Sequence, residues 1–349
     1  MRNNIFAVII CSLCALSLSP GQTLDLRQVL DLSGRWKFEL GDNAEWSQYE
    51  FDDSRWDNIR VPSPWEEQGY PGYDGYAWYR KHFSVRSRFH DKPLYLKLGH
   101  IDDAGEIFLN GKMIGYDGIF PPNFYSAYGI DFRCPVPQDY LFDDRDNVIA
   151  VRVYDYKQAG GLTHGSVGFY QSMNSPEPDL DLSGQWKFKV GDNKAWAESS
   201  FDDSRWQLLK VPLLWDVQGY KDYDGYAWYR MKFKLPQDLV GRRLILLMGK
   251  IDDYDQTYVN GQLIGTTGDM KHRIGADGYT KDYQQLRAYT IPASLLLPDK
   301  ENTIAVRVLD VWMHGGIYEG PIGLIQKSHY TYPRQRPNSF WDALRNFLE

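Results

Sequence analysis

Asp31-Leu-Ser-Gly-Arg-Trp-Lys-Phe38 returns 150 residues later as Asp181-Leu-Ser-Gly-Gln-Trp-Lys-Phe188. Phe51-Asp-Asp-Ser-Arg-Trp56 returns as residues 201–206, and Tyr73-Asp-Gly-Tyr-Ala-Trp-Tyr-Arg80 returns unchanged as residues 223–230. Across 31–83 and 181–233, 32 of 53 positions are identical. The offset is 150 until Gly118 and Gly268, then 155 from Asn147 and Asn302, so the second copy carries five extra residues in one intervening loop. Solenoid repeats run to about 20–45 residues, so copies of this length are domains in their own right. The expected boundaries are 24–174 and 179–328, with Ser175-Pro-Glu-Pro178 as linker.

Within each copy the apolar period is two. Trp36, Phe38 and Leu40 alternate with Arg35, Lys37 and Glu39. Trp186, Phe188 and Val190 alternate with Gln185, Lys187 and Lys189, and Leu94, Leu96 and Leu98 and Ile149, Val151 and Val153 follow the same rule. This is the pattern of strands with one buried face. Leu109-Asn-Gly-Lys112 and Val259-Asn-Gly-Gln262 signal tight hairpins, because both turn residues must take positive φ. The sequence predicts an all-β chain: two tandem antiparallel β-sandwiches of jelly-roll type, plus a short C-terminal helix.

Composition narrows the function. The 349 residues carry 39 basic and 46 acidic side chains, a net charge of −7, with no basic cluster, which argues against a nucleic-acid partner. Apolar residues make up 43% and aromatic ones 15%, so the chain is globular and rich in flat amphipathic rings. No stretch is long and apolar enough for a transmembrane helix.

Residues 1–21 read as a secretory signal: Arg2, an apolar run from Ile5 to Leu18, and small residues Ser19 and Gly21. A buried N-terminal helix and a lipoprotein signal are the alternatives. Export removes Cys11 and Cys14 and leaves Cys134 without a partner for an internal disulfide. The expected location is the periplasm, the cell surface or outside the cell. Residues 329–349 read as a linker and an amphipathic helix, with Phe340, Trp341, Leu344, Phe347 and Leu348 on one side. That helix docks on its own domain or on a partner.

These motifs, taken in order, carry a resemblance. FDDSRW, then Val61-Pro62 with Trp65, Gly69-Tyr70, Tyr73–Arg80, Ile101-Asp-Asp103, Asn110-Gly111, Ile114-Gly115, Asn147–Asp155 and Gly160-Gly161 resemble the sugar-binding jelly roll of glycoside hydrolase family 2. That fold belongs to the galactose-binding-like group, and similar modules accompany bacterial sialate O-acetylesterases. The resemblance covers nearly all of 31–172 and 181–326. It implies a carbohydrate context and no required cofactor; the alternative is a structural calcium, which jelly rolls of this group often hold and which acidic loops suit as a hard cation, although no EF-hand-like spacing occurs. In that family the two catalytic Glu residues lie in a (β/α)₈ barrel of about 250 residues, for which two sandwiches leave no room here.

Catalytic signals in the chain itself are weak. Glycosidases need paired carboxyls about 5–10 Å apart. Acidic candidates are Glu66, Glu67, Asp74, Asp102, Asp103, Asp224, Asp252, Asp253 and Glu319, most of them readable as turn, cap or bend residues. Only Glu66-Glu67 lacks a faithful counterpart, Asp216-Val217. No nucleophile elbow or zinc signature occurs. No residue is assigned a catalytic role.

Sugars pack C–H faces on aromatic rings and direct hydroxyls at polar groups. The predicted carbohydrate-binding residues are Trp65, Tyr73, Tyr76, Trp78 and His164 in the first copy, with Trp215, Tyr223, Tyr226, Trp228, Tyr318 and Glu319 in the second. The alternative for Tyr76, Trp78 and Arg80 is packing under a covering loop. Ile119–Phe132 against Asp269–Leu286, and the Gly-Gly loops, are where the copies differ. The expected function is an exported, non-catalytic carbohydrate-binding accessory protein. Its partners are an oligo- or polysaccharide and separately encoded glycan-degrading enzymes. The alternatives are a β-galactosidase-like glycoside hydrolase, a subunit completing a partner's active site, and a structural scaffold.

Overall fold

The computed structural model describes residues 24–85, 89, 92–271 and 281–331. The signal at 1–21 and the amphipathic helix lie outside those residues. The first copy forms β1 (Leu26–Asp31), β2 (Gly34–Leu40), β3 (Asp57–Val61), β4 (Gly75–Phe83), β5 (Leu94–Asp102), β6 (Ala104–Leu109), β7 (Lys112–Asp117), β8 (Asp131–Pro135), β9 (Asn147–Asp155) and β10 (Gly161–Ser172). The second repeats them as β11 (Leu180–Asp181), β12 (Gly184–Val190), β13 (Gln207–Val211), β14 (Gly225–Lys234), β15 (Leu244–Asp252), β16 (Tyr254–Val259), β17 (Gln262–Thr267), β18 (Arg287–Thr290), β19 (Glu301–Asp310) and β20 (Gly316–Gln326).

Each copy is a sandwich of two antiparallel sheets. The first pairs β1-β10-β5-β8 with β3-β2-β4-β9-β6-β7, and the second repeats that order strand for strand. The alternation decides which faces meet. Trp36, Phe38, Tyr79, Leu96, Leu98, Ile149, Val151 and Val153 are all buried in one cluster between the sheets. The β6–β7 and β16–β17 turns carry the predicted positive φ at Asn110 and Gly111 and at Asn260 and Gly261.

The outer face of the six-stranded sheet is not open. In the first copy, the segment from Gly41 to Trp56 folds over it. Trp46, Phe51 and Trp56 pack on Trp78, whose ring lies 5.7 Å from Phe108. Arg80, fully buried beneath the same segment, donates from Nε to Asp53 at 2.7 Å and from Nη1 to the Trp46 and Gln48 carbonyls. Trp228 and Arg230 repeat the arrangement with Asp203 and Trp196. The covering-loop alternative therefore holds for Trp78 and Arg80.

One difference between the copies lies inside the fold. Asp255 and Arg287 form a fully buried pair at 3.0 Å, where the first copy has Gly105 and Phe132.

The two sandwiches pack head to tail. The β7–β8 side of the first meets the Gly315-Gly316 loop end of the second. Tyr116 Oη donates to Asp216 Oδ1 at 3.0 Å and to the Met313 carbonyl at 2.8 Å. His314 Nε2 sits 3.1 Å from the Tyr116 carbonyl. Arg133 reaches Glu319 at 3.2 Å, Lys221 pairs with Glu106, and the Tyr125 and Trp312 rings meet edge to face at 5.0 Å. Among the described residues the equivalent loop end of the first sandwich has no such cover: residues 156–159 are exposed.

Candidate functional site

That uncovered end is built from four segments: the turn Trp65–Gln68, the bend at Asp102-Asp103, the 118–130 loop and the loop from Tyr156 to Gly160. Gly160 and Gly161 close it. A Cβ at Gly160 would collide with the Trp65 ring, and one at Gly161, where φ is +102°, would collide with the Tyr79 hydroxyl. The Gly-Gly pair thus lets the backbone lie flat on the buried rings.

Backbone groups hold the carboxylates in place. Both Glu66 oxygens accept from Gly160 N at 3.1 Å. Asp103 accepts from Ser126 Oγ and from Tyr156 N, and Asp155 Oδ1 accepts from Lys157 N at 3.0 Å. Asp155 Oδ2 is buried with no partner. Carboxylate oxygens of Asp102, Asp103 and Asp155 lie within 4.8 Å of one another. Burial, reinforced by the neighbouring carboxylates, pushes both Asp102 and Asp155 up to about 7.

Beside this cluster a small groove is lined by His100, Ile101, Asp102, Tyr128, Gly129, Thr163 and His164. The His100 and His164 rings stack at 3.9 Å and 17°, and Thr163 Oγ1 lies 3.0 Å from His164 Nδ1. His100 Nδ1 is buried without a partner. Tyr128 is 75% exposed over the groove, and Tyr156 is exposed nearby.

In the second sandwich the same scaffold is present and shut. Asp216 Oδ2 accepts from Gly315 N at 2.9 Å, Asp253 accepts from Val311 N, and Asp310 accepts from Trp312 N. Lys250 and Glu319 replace the His100–His164 cross-strand pair and bridge at 2.7 Å. Burial pushes Asp216 up to about 7 and Asp310 up to about 9, and pushes His314 down to about 4.

Several sequence-predicted site residues are elsewhere. Trp65 and Trp215 are core, stacked on Tyr79 and Tyr229, and Trp78 and Trp228 lie beneath the covering segments. None of the four indoles presents a face to a sugar. Glu319 is buried by Arg133, Lys250 and Tyr95. Tyr73 and Tyr223 donate to the Tyr76 and Tyr226 carbonyls and brace the Trp65 and Trp215 turns. Tyr76 lies under Arg152, and Tyr226 donates to the Met270 carbonyl. Tyr318 donates to the Tyr283 carbonyl. Of the sequence-predicted residues, His164 alone is exposed at the groove. Sequence reasoning missed Tyr128 and His100. The signal for Tyr128 was its place in Ile119–Phe132, where the copies diverge.

A family model described as the beta-galactosidase second all-beta domain matches residues 41–159, which lie within the first sandwich. The chain is related to the all-β accessory domains of glycoside hydrolase family 2. A beta-galactosidase of Bacteroides ovatus is 27% identical over 169 residues, 44% of this chain and 19% of its own length. A putative beta-glucuronidase of Formosa agariphila is 28% identical over 190 residues, 51% of this chain and 17% of its own. A solved Bacteroides uniformis beta-glucuronidase overlays 83% of this chain and 28% of its own, at 16% identity and a TM-score of 0.35. The chain thus spans about a tenth to a quarter of the length of the curated relatives it matches. Among the described residues no helix is long and apolar enough to cross a membrane.

Proposed function

We propose that the chain is an exported, non-catalytic accessory protein that binds carbohydrate through the open end of its first sandwich, beside separately encoded glycan-degrading enzymes. The observation that carries this reading is Tyr128, 75% exposed over a groove that also offers His164 and Asp102. An aromatic face beside convergent polar groups is what a sugar ring needs. Kinship with beta-galactosidase and beta-glucuronidase accessory domains supports the carbohydrate context. The non-catalytic role is supported by the carboxylates themselves. Glu66, Asp103 and Asp155 each accept a loop backbone N–H, the role of turn and loop carboxylates.

A glycan array read with the purified chain tests the binding, alongside hydrolysis assays on chromogenic β-galactosides and β-glucuronides. Array binding without turnover is expected. Turnover by the chain alone overturns the non-catalytic reading, and silence in both assays returns the scaffold alternative. Cell fractionation tests export.

A structural calcium belongs to the same reading. Three carboxylates within 4.8 Å, one with an unpartnered buried oxygen, suit a hard cation that takes oxygen ligands. Asp102, Asp103 and Asp155 would hold it, pinning the bend and the 156–160 loop around the groove. Calcium titration against a chelator, followed by melting temperature, is the test.

A further inference from the structure

The duplication makes each sandwich a reference for the other, and one loop end is filled where its twin is open. In the second sandwich the filling group is a hydroxyl. Tyr116 Oη donates to Asp216 Oδ1 while Asp216 Oδ2 is held by Gly315 N, and the same hydroxyl donates to the Met313 carbonyl. The first sandwich keeps every part of that seat. Glu66 stands where Asp216 does and accepts from the equivalent backbone N–H, that of Gly160, through both carboxylate oxygens. Gln158 stands where Met313 does. Both are non-glycine residues in the left-handed region, at φ +75° and +67°. That conformation is uncommon enough to show that the two loops take the same path. They therefore present the same carbonyl. Asp216 is buried under Tyr116, whereas Glu66 is partly exposed and residues 156–159 are open.

What the first sandwich lacks is everything that recognises the rest of the plug. His314, which meets the Tyr116 carbonyl, is replaced by Ala159. Lys221, which pairs with Glu106, is replaced by Pro71. Glu319, which takes Arg133, is replaced by His164. The seat for a hydroxyl is kept and the contacts for a peptide are gone.

From this geometry we infer that Glu66 and the Gln158 carbonyl form a subsite that accepts a ligand hydroxyl from a neutral sugar, the position Tyr116 fills in the second sandwich. The inference rests on the carbohydrate-binding reading above and deepens it. A sugar hydroxyl donates one hydrogen bond, as the phenol does, and a carboxylate acceptor makes that bond strong and directional. Neutrality follows from the surroundings. Glu66 and the Gln158 carbonyl offer only acceptors, so a ligand carboxylate placed against them finds no hydrogen-bond donor, whereas a hydroxyl donates to them.

The test uses the full chain on an immobilised array of neutral and uronate-bearing oligosaccharides. The strongest-binding neutral oligosaccharide is then titrated against wild type, Glu66→Ala, Glu66→Gln and the exposed neighbour Glu67→Ala. The expected result is a preference for neutral glycans, a loss of about tenfold or more in affinity for Glu66→Ala, an intermediate loss for Glu66→Gln, and none for Glu67→Ala. Unchanged melting temperatures separate the effect from folding. Equal affinity of Glu66→Ala and wild type overturns the subsite while leaving carbohydrate binding standing, as does preference for uronates. A change of oligomeric state in Glu66→Ala with glycan binding intact overturns it in favour of a protein plug. An array blank for wild type removes both readings.

Discussion

Tyr116 of the first sandwich and Asp216 of the second share a hydrogen bond of 3.0 Å, at the centre of the contact that closes the loop end of the second sandwich. The phenol oxygen also lies 2.8 Å from the Met313 carbonyl, so its one proton stands between two buried acceptors. Arg133 with Glu319 and Lys221 with Glu106 flank it. The resulting unit has one open end and one closed.

Tyr116→Phe keeps the ring and removes the donor. Leaving a buried carboxyl group without its partner costs about 1–3 kcal/mol. Urea unfolding is expected to show that loss, and Tyr128→Phe, at an exposed position, to show none. Limited proteolysis of the linker near Ser175 should quicken in Tyr116→Ala as the sandwiches separate. An unchanged cleavage rate would argue that the flanking ion pairs suffice.

Trp65→Ala and Tyr128→Ala separate core from surface. Trp65 is fully buried between Phe38, Tyr73 and Tyr79, and its truncation costs about 3–5 kcal/mol. Tyr128→Ala is expected to leave the melting temperature unchanged and to weaken glycan binding. A Tyr128→Ala protein that binds glycans as wild type does would remove the ring from the site.

Stability should fall as pH rises through the neutral range. Asp102, Asp155 and Asp216 titrate at about 7 in the folded chain and Asp310 at about 9, against an ordinary aspartate value of 3.8. Between those values the folded state keeps protons that the unfolded chain releases, so each unit of pH costs stability. His314, at about 4 when folded and 6.5 otherwise, acts oppositely, and its penalty grows on acidification from 6.5 toward 4. Four carboxyls outweigh one imidazole. The melting temperature is therefore expected to be higher at about pH 5.5 than at about pH 8.5. A rise toward the alkaline side contradicts the assignment.

Calcium should reverse part of that alkaline loss. At about 100 times its dissociation constant, a ligand bound only by the folded state adds about 2.7 kcal/mol. The expected gain in melting temperature at about pH 8 disappears in Asp155→Asn and shrinks at about pH 5, where the carboxyls hold protons. A chelator-insensitive wild type at both pH values would empty the site.

Asp255→Ala should cost about 3–5 kcal/mol, because it strands the Arg287 guanidinium in the interior. Equilibrium unfolding measures it. The first sandwich, with Gly105 and Phe132 in those places, folds without such a pair.

Much of the architecture was legible without coordinates. The duplication, the strands and both Asn-Gly hairpins follow from local pattern. A period of two puts Trp36 and Phe38 on one face whatever the rest of the chain does. The Asp52 turn was equally local, since its carboxylate accepts from Ser54 N two residues on, whereas Asp103 accepts from the distant Tyr156 N and Asp53 from the distant Arg80.

The site was not legible in the same way. Trp65, Trp78, Trp215 and Trp228 read as sugar platforms because sequence shows that a ring exists, not what lies on top of it. The segment covering Trp78 begins 37 residues earlier, at Gly41, and two of the groups that bury Glu319, Arg133 and Tyr95, come from the other sandwich. Tyr128 and Glu66 looked ordinary for the same reason, and only the packing of the two copies leaves them uncovered. The chain's own pattern fixed two like sandwiches, because side-chain direction along a strand is a local matter. Which of two near-identical loop ends faces water depends on contacts between residues 100 and more apart, and those exist only once the molecule has folded.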